Sequence, residues 1–164
     1  LEHEAAIHAD VEDSLQLELT MTQQYLELAG VILIALNTQG EIALINAKGC
    51  DVLGWKKNTL LGQDWFDTCL PPDERARVRH VFQQLVAGTI EPVEFFENSV
   101  LTRSGEQRLI AWRNAVLRDE VGQIIGILSS GEDITEHRQA REALRESTER
   151  YRSCLLYTSD AADE

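Results

Sequence analysis

Positive charge is scarce in this chain, and nowhere does it carry a long apolar run. Fifteen Lys and Arg face 28 Asp and Glu, for a formal net charge of -13. Seven of the acids precede Leu28 with no Lys or Arg among them. Such a surface lacks the electrostatic footprint that nucleic acid requires, and anionic lipid repels it. The longest apolar run, Val31 to Leu36, falls far short of the ~20 residues that span a bilayer. No charged-then-apolar leader opens the sequence. It begins at Leu1 without an initiator Met, so a fragment of a longer protein is expected, and an anchor elsewhere in that protein stays open. The three cysteines, Cys50, Cys69 and Cys154, form no CxxC pair and no metal spacing. An odd, sparse count suits a reducing compartment, here the cytoplasm. No phosphate loop, Gly-x-Ser-x-Gly elbow or His-Glu-x-x-His is present, so no catalytic constellation is expected.

What remains is an ordinary globular chain with clear punctuation. Leu15, Leu19, Thr22, Leu26 and Ala29 recur at helical spacing within residues 3–29, and Gly30 supplies a stop. Two β-rich runs around Asn37-Thr-Gln-Gly40 predict a hairpin over residues 31–45. From Asn46 to Gln63, frequent Gly and Asn divide the chain into short helical turns. Pro71-Pro-Asp-Glu74 opens a longer helix, whose apolar positions Val78, Val81, Phe82, Leu85 and Val86 run to Gly88. Three strands follow, at residues 93–102, 109–117 and 124–130, separated by Arg103-Ser-Gly-Glu106 and Asp119-Glu-Val-Gly122. After Asp133-Ile-Thr135 the pattern is helical to Arg152. Strands segregated from helices predict an α+β fold with an antiparallel sheet.

This order resembles a PAS domain, the small sensor module of signalling proteins. The likeness is carried by Leu53-Gly-Trp55, by Gly62-Gln-Asp-Trp-Phe-Asp67 and by the strand Leu109-Ile-Ala-Trp-Arg-Asn114. Most specific is Ser130-Gly-Glu-Asp-Ile-Thr-Glu136, which is similar to the PAC signature where a PAS sheet hands over to a signalling helix. The resemblance covers residues 15–153 and implies a five-stranded antiparallel sheet with helices on one face around a small cavity. It divides the chain into an entry helix or linker (1–29), a PAS core (30–135), and an exit helix (136–153) leading to a missing downstream domain. Residues 154–164 resemble a translated sequencing adapter and are expected to be non-native.

The candidate sites follow from that frame. Trp65, Phe95, Ile110 and Trp112, with Asn114 as a polar handle, are candidate cavity residues. The competing reading is a set of aromatics that merely fill the core. Asp133, Ile134 and Thr135 are expected to relay strain from sheet to helix, and Asp133 or Thr135 also suits a helix cap. Ala140, Leu144, Ser147 and Tyr151 lie at heptad spacing and form a candidate exit-helix seam. The cofactor stays unassigned. Residues 87–96 contain no His where the family's haem ligand sits, which argues against haem. Cys50 and Cys69 lack the surroundings of a flavin-reactive cysteine, which argues against covalent flavin, while a small non-covalent ligand stays open. The resemblance implies a non-enzymatic sensor and signal-relay module. Its parent would be a bacterial or archaeal protein, a two-component histidine kinase of the phosphorelay first and a diguanylate cyclase second. Homodimerisation through the flanking helices or the outer sheet face (Leu109, Ala111, Ala115, Leu117) is expected, with a PAS or kinase domain downstream. The alternative is a ligand-free dimerisation or spacer module.

Overall fold

The computed structural model describes residues 2–92 and 95–163; the side chains of residues 2–4, 8 and 158–163 lie outside that description. Two compact units result, residues 1–133 and 134–164. The first contains α1 (Glu2–Leu28), β1 (Ile32–Asn37), β2 (Ile42–Ile45), the short helices α2 (Ala47–Leu53), α3 (Lys57–Leu60) and α4 (Trp65–Cys69), the longer α5 (Pro72–Ala87), and then β3 (Phe96–Leu101), β4 (Gln107–Arg118) and β5 (Ile124–Asp133). The second is the single helix α6 (Thr135–Asp163). The strands form one antiparallel sheet in the order β2-β1-β5-β4-β3. The last strand in sequence is therefore the central one, wedged between β1 and β4.

Local chemistry explains the hairpin and its exit. The Asn37 side-chain oxygen accepts the N–H groups of Gln39 (3.0 Å) and Glu41 (2.9 Å), folding the turn on itself. Gly40 has φ +83°, and a Cβ there would sit 2.6 Å from the Phe66 ring, so both backbone and neighbour call for glycine. Asn46 then caps α2 by accepting from Gly49 N–H (3.0 Å), while also bonding Leu33 N–H (3.0 Å) and the Val31 carbonyl (2.8 Å). One side chain thus ties the start of β1 to the start of α2.

The inner face of the sheet carries Ile32, Ile34 and Leu36 of β1, Ile110 and Trp112 of β4, and Ile127 of β5. Leu53, Leu60, Phe66, Leu70, Phe82 and Leu85 complete this core from the helical layer and the loop after α4. Each such large apolar side chain taken fully from water contributes about 1.5–3 kcal/mol before entropic costs. The β4 alternation holds: Ile110 and Trp112 are buried and Arg113 is exposed.

Several boundaries differ from expectation. β5 continues past Ser130 to Asp133, because Glu132 and Asp133 still pair with Ala111 and Ile110 of β4. β3 begins at Phe96, and Val93 and Glu94 of the expected strand lie outside the described residues. α6 does not stop at residue 153 but continues to Asp163. Cys154 to Ala162 contains neither Gly nor Pro to break a helix.

Candidate ligand-binding cavity

A cavity of about 60 Å³ lies between the inner face of the sheet and α4 and α5. That is room for several waters or for a molecule of a few heavy atoms. Its apolar wall comes from Ile34 and Leu36 of β1, Trp65 and Phe66 of α4, and Val78, Val81, Phe82 and Leu85 of α5. Its polar side chains Asn98 of β3, Asn114 of β4 and Ser129 of β5 come from the sheet, as does the Trp112 indole beside them.

Strand register brings these groups together. Phe96 faces Trp112 and Asn98 faces Ile110, so Asn98 and Trp112 are diagonal neighbours on one face. The Trp112 indole N–H donates to the Asn98 side-chain oxygen at 2.6 Å, a fully buried bond. Asn114 directly opposes Ser129, and the Ser129 hydroxyl donates to the Asn114 oxygen at 2.6 Å. Opposite Trp112 stands Gly131, where a Cβ would lie 2.6 Å from the indole and 2.7 Å from Ile110. The missing side chain is what gives the indole its place. Trp65 meets Trp112 edge to face, centroids 5.8 Å apart and planes at 89°.

A strut outside the cavity fixes its helical wall. Asp64 caps α4 by accepting Asp67 N–H (2.9 Å) and receives two Arg79 hydrogen bonds of 3.1 Å each. Arg79 also bonds Asp67 (3.1 Å), and its guanidinium stacks 4.6 Å from the Phe66 ring centroid. Burial pushes the Asp64 carboxyl up, but the hydrogen bonds from Arg79 and Asp67 N–H together outweigh it and hold the group below its usual range. Glu74 of α5 accepts Ser99 N–H of β3 (3.2 Å), closing the far side. No charged side chain lines the cavity among the described residues.

Of the residues expected from sequence, Trp65, Trp112 and Asn114 line the cavity. Ile110 is wholly buried but lies in the core rather than on the cavity wall. Phe95 is a correction. It precedes β3, is 59% exposed, and stacks its ring 4.5 Å from the Arg113 guanidinium, while Phe96 and Asn98 reach the cavity. Strand alternation admits one neighbour and turns the other away. Asp133 ends β5 and accepts a 2.8 Å hydrogen bond from Arg108 Nε, with Ile134 and Thr135 beginning the second unit. The seam residues Ala140, Leu144, Ser147 and Tyr151 are exposed along α6. Sequence reasoning missed Asn98 and Ser129. The alternation Phe96-x-Asn98-x-Val100 carried the signal for the first, whereas Ser129 depends on a cross-strand register that no local pattern states.

Neither His80 nor His137, both exposed, lines the cavity; the side chains of His3 and His8 lie outside the described residues. Burial pushes the Cys69 thiol up to about 12 and raises Cys50 as well, while Cys154 is exposed. No helix among the described residues is long and apolar enough to cross a membrane.

Comparison with known structures places this geometry. The chain is similar to the PAS domain of the quorum-sensing receptor RpfR from Cronobacter turicensis, solved in complex with BDSF. Identity is 25% and TM-score 0.56, covering 65% of this chain and 95% of that one. It is similar to a sensory box histidine kinase/response regulator from Burkholderia thailandensis, at 24% identity and TM-score 0.60, over 80% and 98% of the two chains. A PAS domain of an HTR-like protein from Haloarcula marismortui shares 20% identity at TM-score 0.59, over 75% and 97%. A comparison with curated protein sequences finds no match. The family model described as PAS fold matches residues 26–139, more than half of the sequence, and the chain belongs to the PAS family.

Proposed function

We propose that this PAS domain is a sensor and relay module that takes a small non-covalent ligand into the cavity and passes its presence to an output domain. The observation that carries the reading is the polar wall: two asparagines, a serine and an indole converge on a cavity otherwise lined by apolar side chains. A few placed polar groups in an apolar pocket are the usual make-up of a ligand site. The similarity to a ligand-bound receptor PAS domain supports it. Ser129 faces the cavity on the same strand that ends at Asp133, so a ligand contacting it would bias the strand leading to Ile134 and Thr135. The exposed seam of Ala140, Leu144, Ser147 and Tyr151 is offered to a second copy, making the active form a cytoplasmic homodimer. Its output is a histidine kinase phosphorelay or, second, a diguanylate cyclase. Coupling of this kind needs a differential stabilisation of only about 1–3 kcal/mol.

The competing reading, a spacer with a filled core, draws on the small size of the cavity. Native mass spectrometry of the full chain separates the two. The sensor reading expects an excess mass that disappears on denaturation; a bare polypeptide mass, unchanged after incubation with cell extract, overturns it. The same spectrum counts subunits. For the relay, Asp133→Ala should abolish the ligand-dependent change in hydrogen exchange along residues 135–153 while ligand retention persists. An unchanged response removes the relay role.

A further inference from the structure

We infer that the cavity selects an uncharged ligand carrying a hydrogen-bond acceptor, such as a ketone, ester or amide on a short apolar body, and rejects carboxylates and amines. The inference deepens the sensor reading and rests on it.

The argument begins with Trp112. An indole N–H can only donate. Its 2.6 Å bond therefore fixes which end of the Asn98 amide faces it: the oxygen is taken, and the NH2 group must point elsewhere. Asn98 is only 3% exposed, and among the described residues nothing accepts from that NH2. It lines the cavity, so the cavity is where the donor is presented. Asn114 repeats the arrangement, its oxygen taken by the Ser129 hydroxyl and its NH2 without a protein acceptor among the described residues. Two amide donors thus line the same sheet face, Asn98 on β3 opposite Ile110 and Asn114 four residues further along β4, with Trp112 between them.

An acceptor on the ligand answers this pattern, and its charge is decided by what else lines the site. The Arg79 cation is spent on Asp64 and Asp67 outside the cavity, and no other cation reaches the wall among the described residues. A carboxylate would lose its hydration against neutral donors alone, and an ammonium would lose its own with no carboxylate on the wall, among the described residues, to pair with it. A neutral carbonyl satisfies one of these amides without either cost.

The test uses butanone, butyrate and butylamine, matched in size and differing in the polar group, titrated into the isotope-labelled full chain. NMR follows the side-chain NH2 signals of Asn98 and Asn114. Butanone should shift at least one of them and bind about tenfold or more tighter than either charged probe, the scale of one well-made hydrogen bond. Asn98→Asp keeps the oxygen that Trp112 needs and removes the donor wherever the new carboxyl is ionised, so butanone should weaken about tenfold as pH rises through that ionisation. Asn114→Asp should act in the same direction, should the first variant fail to fold. Butyrate or butylamine binding as tightly as butanone would overturn the assigned class while leaving a ligand-binding cavity intact. If butanone fails to enter the cavity the assigned class falls, while the native mass spectrum decides the sensor reading separately.

Discussion

The two ends of the domain's interior are built for different tasks. At one end Leu60, Cys69, Leu70 and Ile110 are each 0% exposed, and Val100 is 1% exposed. That end is apolar and close-packed. At the other, the same sheet presents Asn114 and Ser129 toward helices that bring only apolar and aromatic side chains, with Asn98 beside Ile110 at the border. A domain of this size gains nothing in stability from placing two amides where leucines would pack. The difference teaches that stability is concentrated in one end, leaving the other free for recognition, with Trp112 and Gly131 at the boundary.

The largest contrast should be chemical. Cys69 lies in the packed end with its thiol pushed up to about 12, whereas Cys154 is exposed on α6. A thiol-disulfide reagent should modify Cys154 at once and Cys69 only through global opening, slower by about a thousandfold or more if stability is of ordinary size. Rapid labelling of Cys69 in the folded protein would break the comparison. Next, Leu70→Ala should cost about 2–5 kcal/mol in denaturant unfolding, because a wholly buried side chain leaves a cavity behind. Gly131→Ala should cost about 1–3 kcal/mol by driving a methyl into the Trp112 ring, and should alter ligand retention where Leu70→Ala does not.

The strut comes after these. Arg79→Met should lower stability by up to about 1 kcal/mol, as for a partly exposed ion pair. The Asp64 carboxyl is depressed in the folded state, so its contribution is present above the unfolded value of about 3.9 and fades as pH falls through the folded one. The gap between wild type and Asp64→Asn should therefore close below about pH 4, and a gap persisting in acid would place the effect elsewhere. The smallest effect belongs to Arg145→Ala on α6, whose pairs with Glu142 and Glu149 are solvent-screened; the unfolding midpoint should not move.

Much of the fold was legible because it is written in local chemistry. The Asn37–Gly40 turn, the Pro71–Glu74 helix start and the β4 alternation each declare themselves within a few residues. The fold class followed from their order. The site was legible in part. Trp65, Trp112 and Asn114 belong to stretches that resemble the family, and the structure brings all three to one cavity. Phe95 misled because two adjacent aromatics give no sign of which one faces inward until the strand start is known. Ser129 and Gly131 were opaque for a different reason. Their partners, Asn114 and Trp112, lie 15 and 19 residues away, and the register of β4 on β5 is set by the whole sheet.

The three tryptophans offer the most direct measurement. Trp65 and Trp112 line the cavity, while Trp55 packs against the core away from it, under Arg103 at 5.3 Å. Their indole N–H signals should be followed by NMR as butanone is added to the full chain. The account predicts that Trp112 moves most, Trp65 moves with it, and Trp55 stays in place. Three stationary signals, or a Trp55 shift as large as that of Trp112, would contradict the claim that only one end of this interior is open to a ligand.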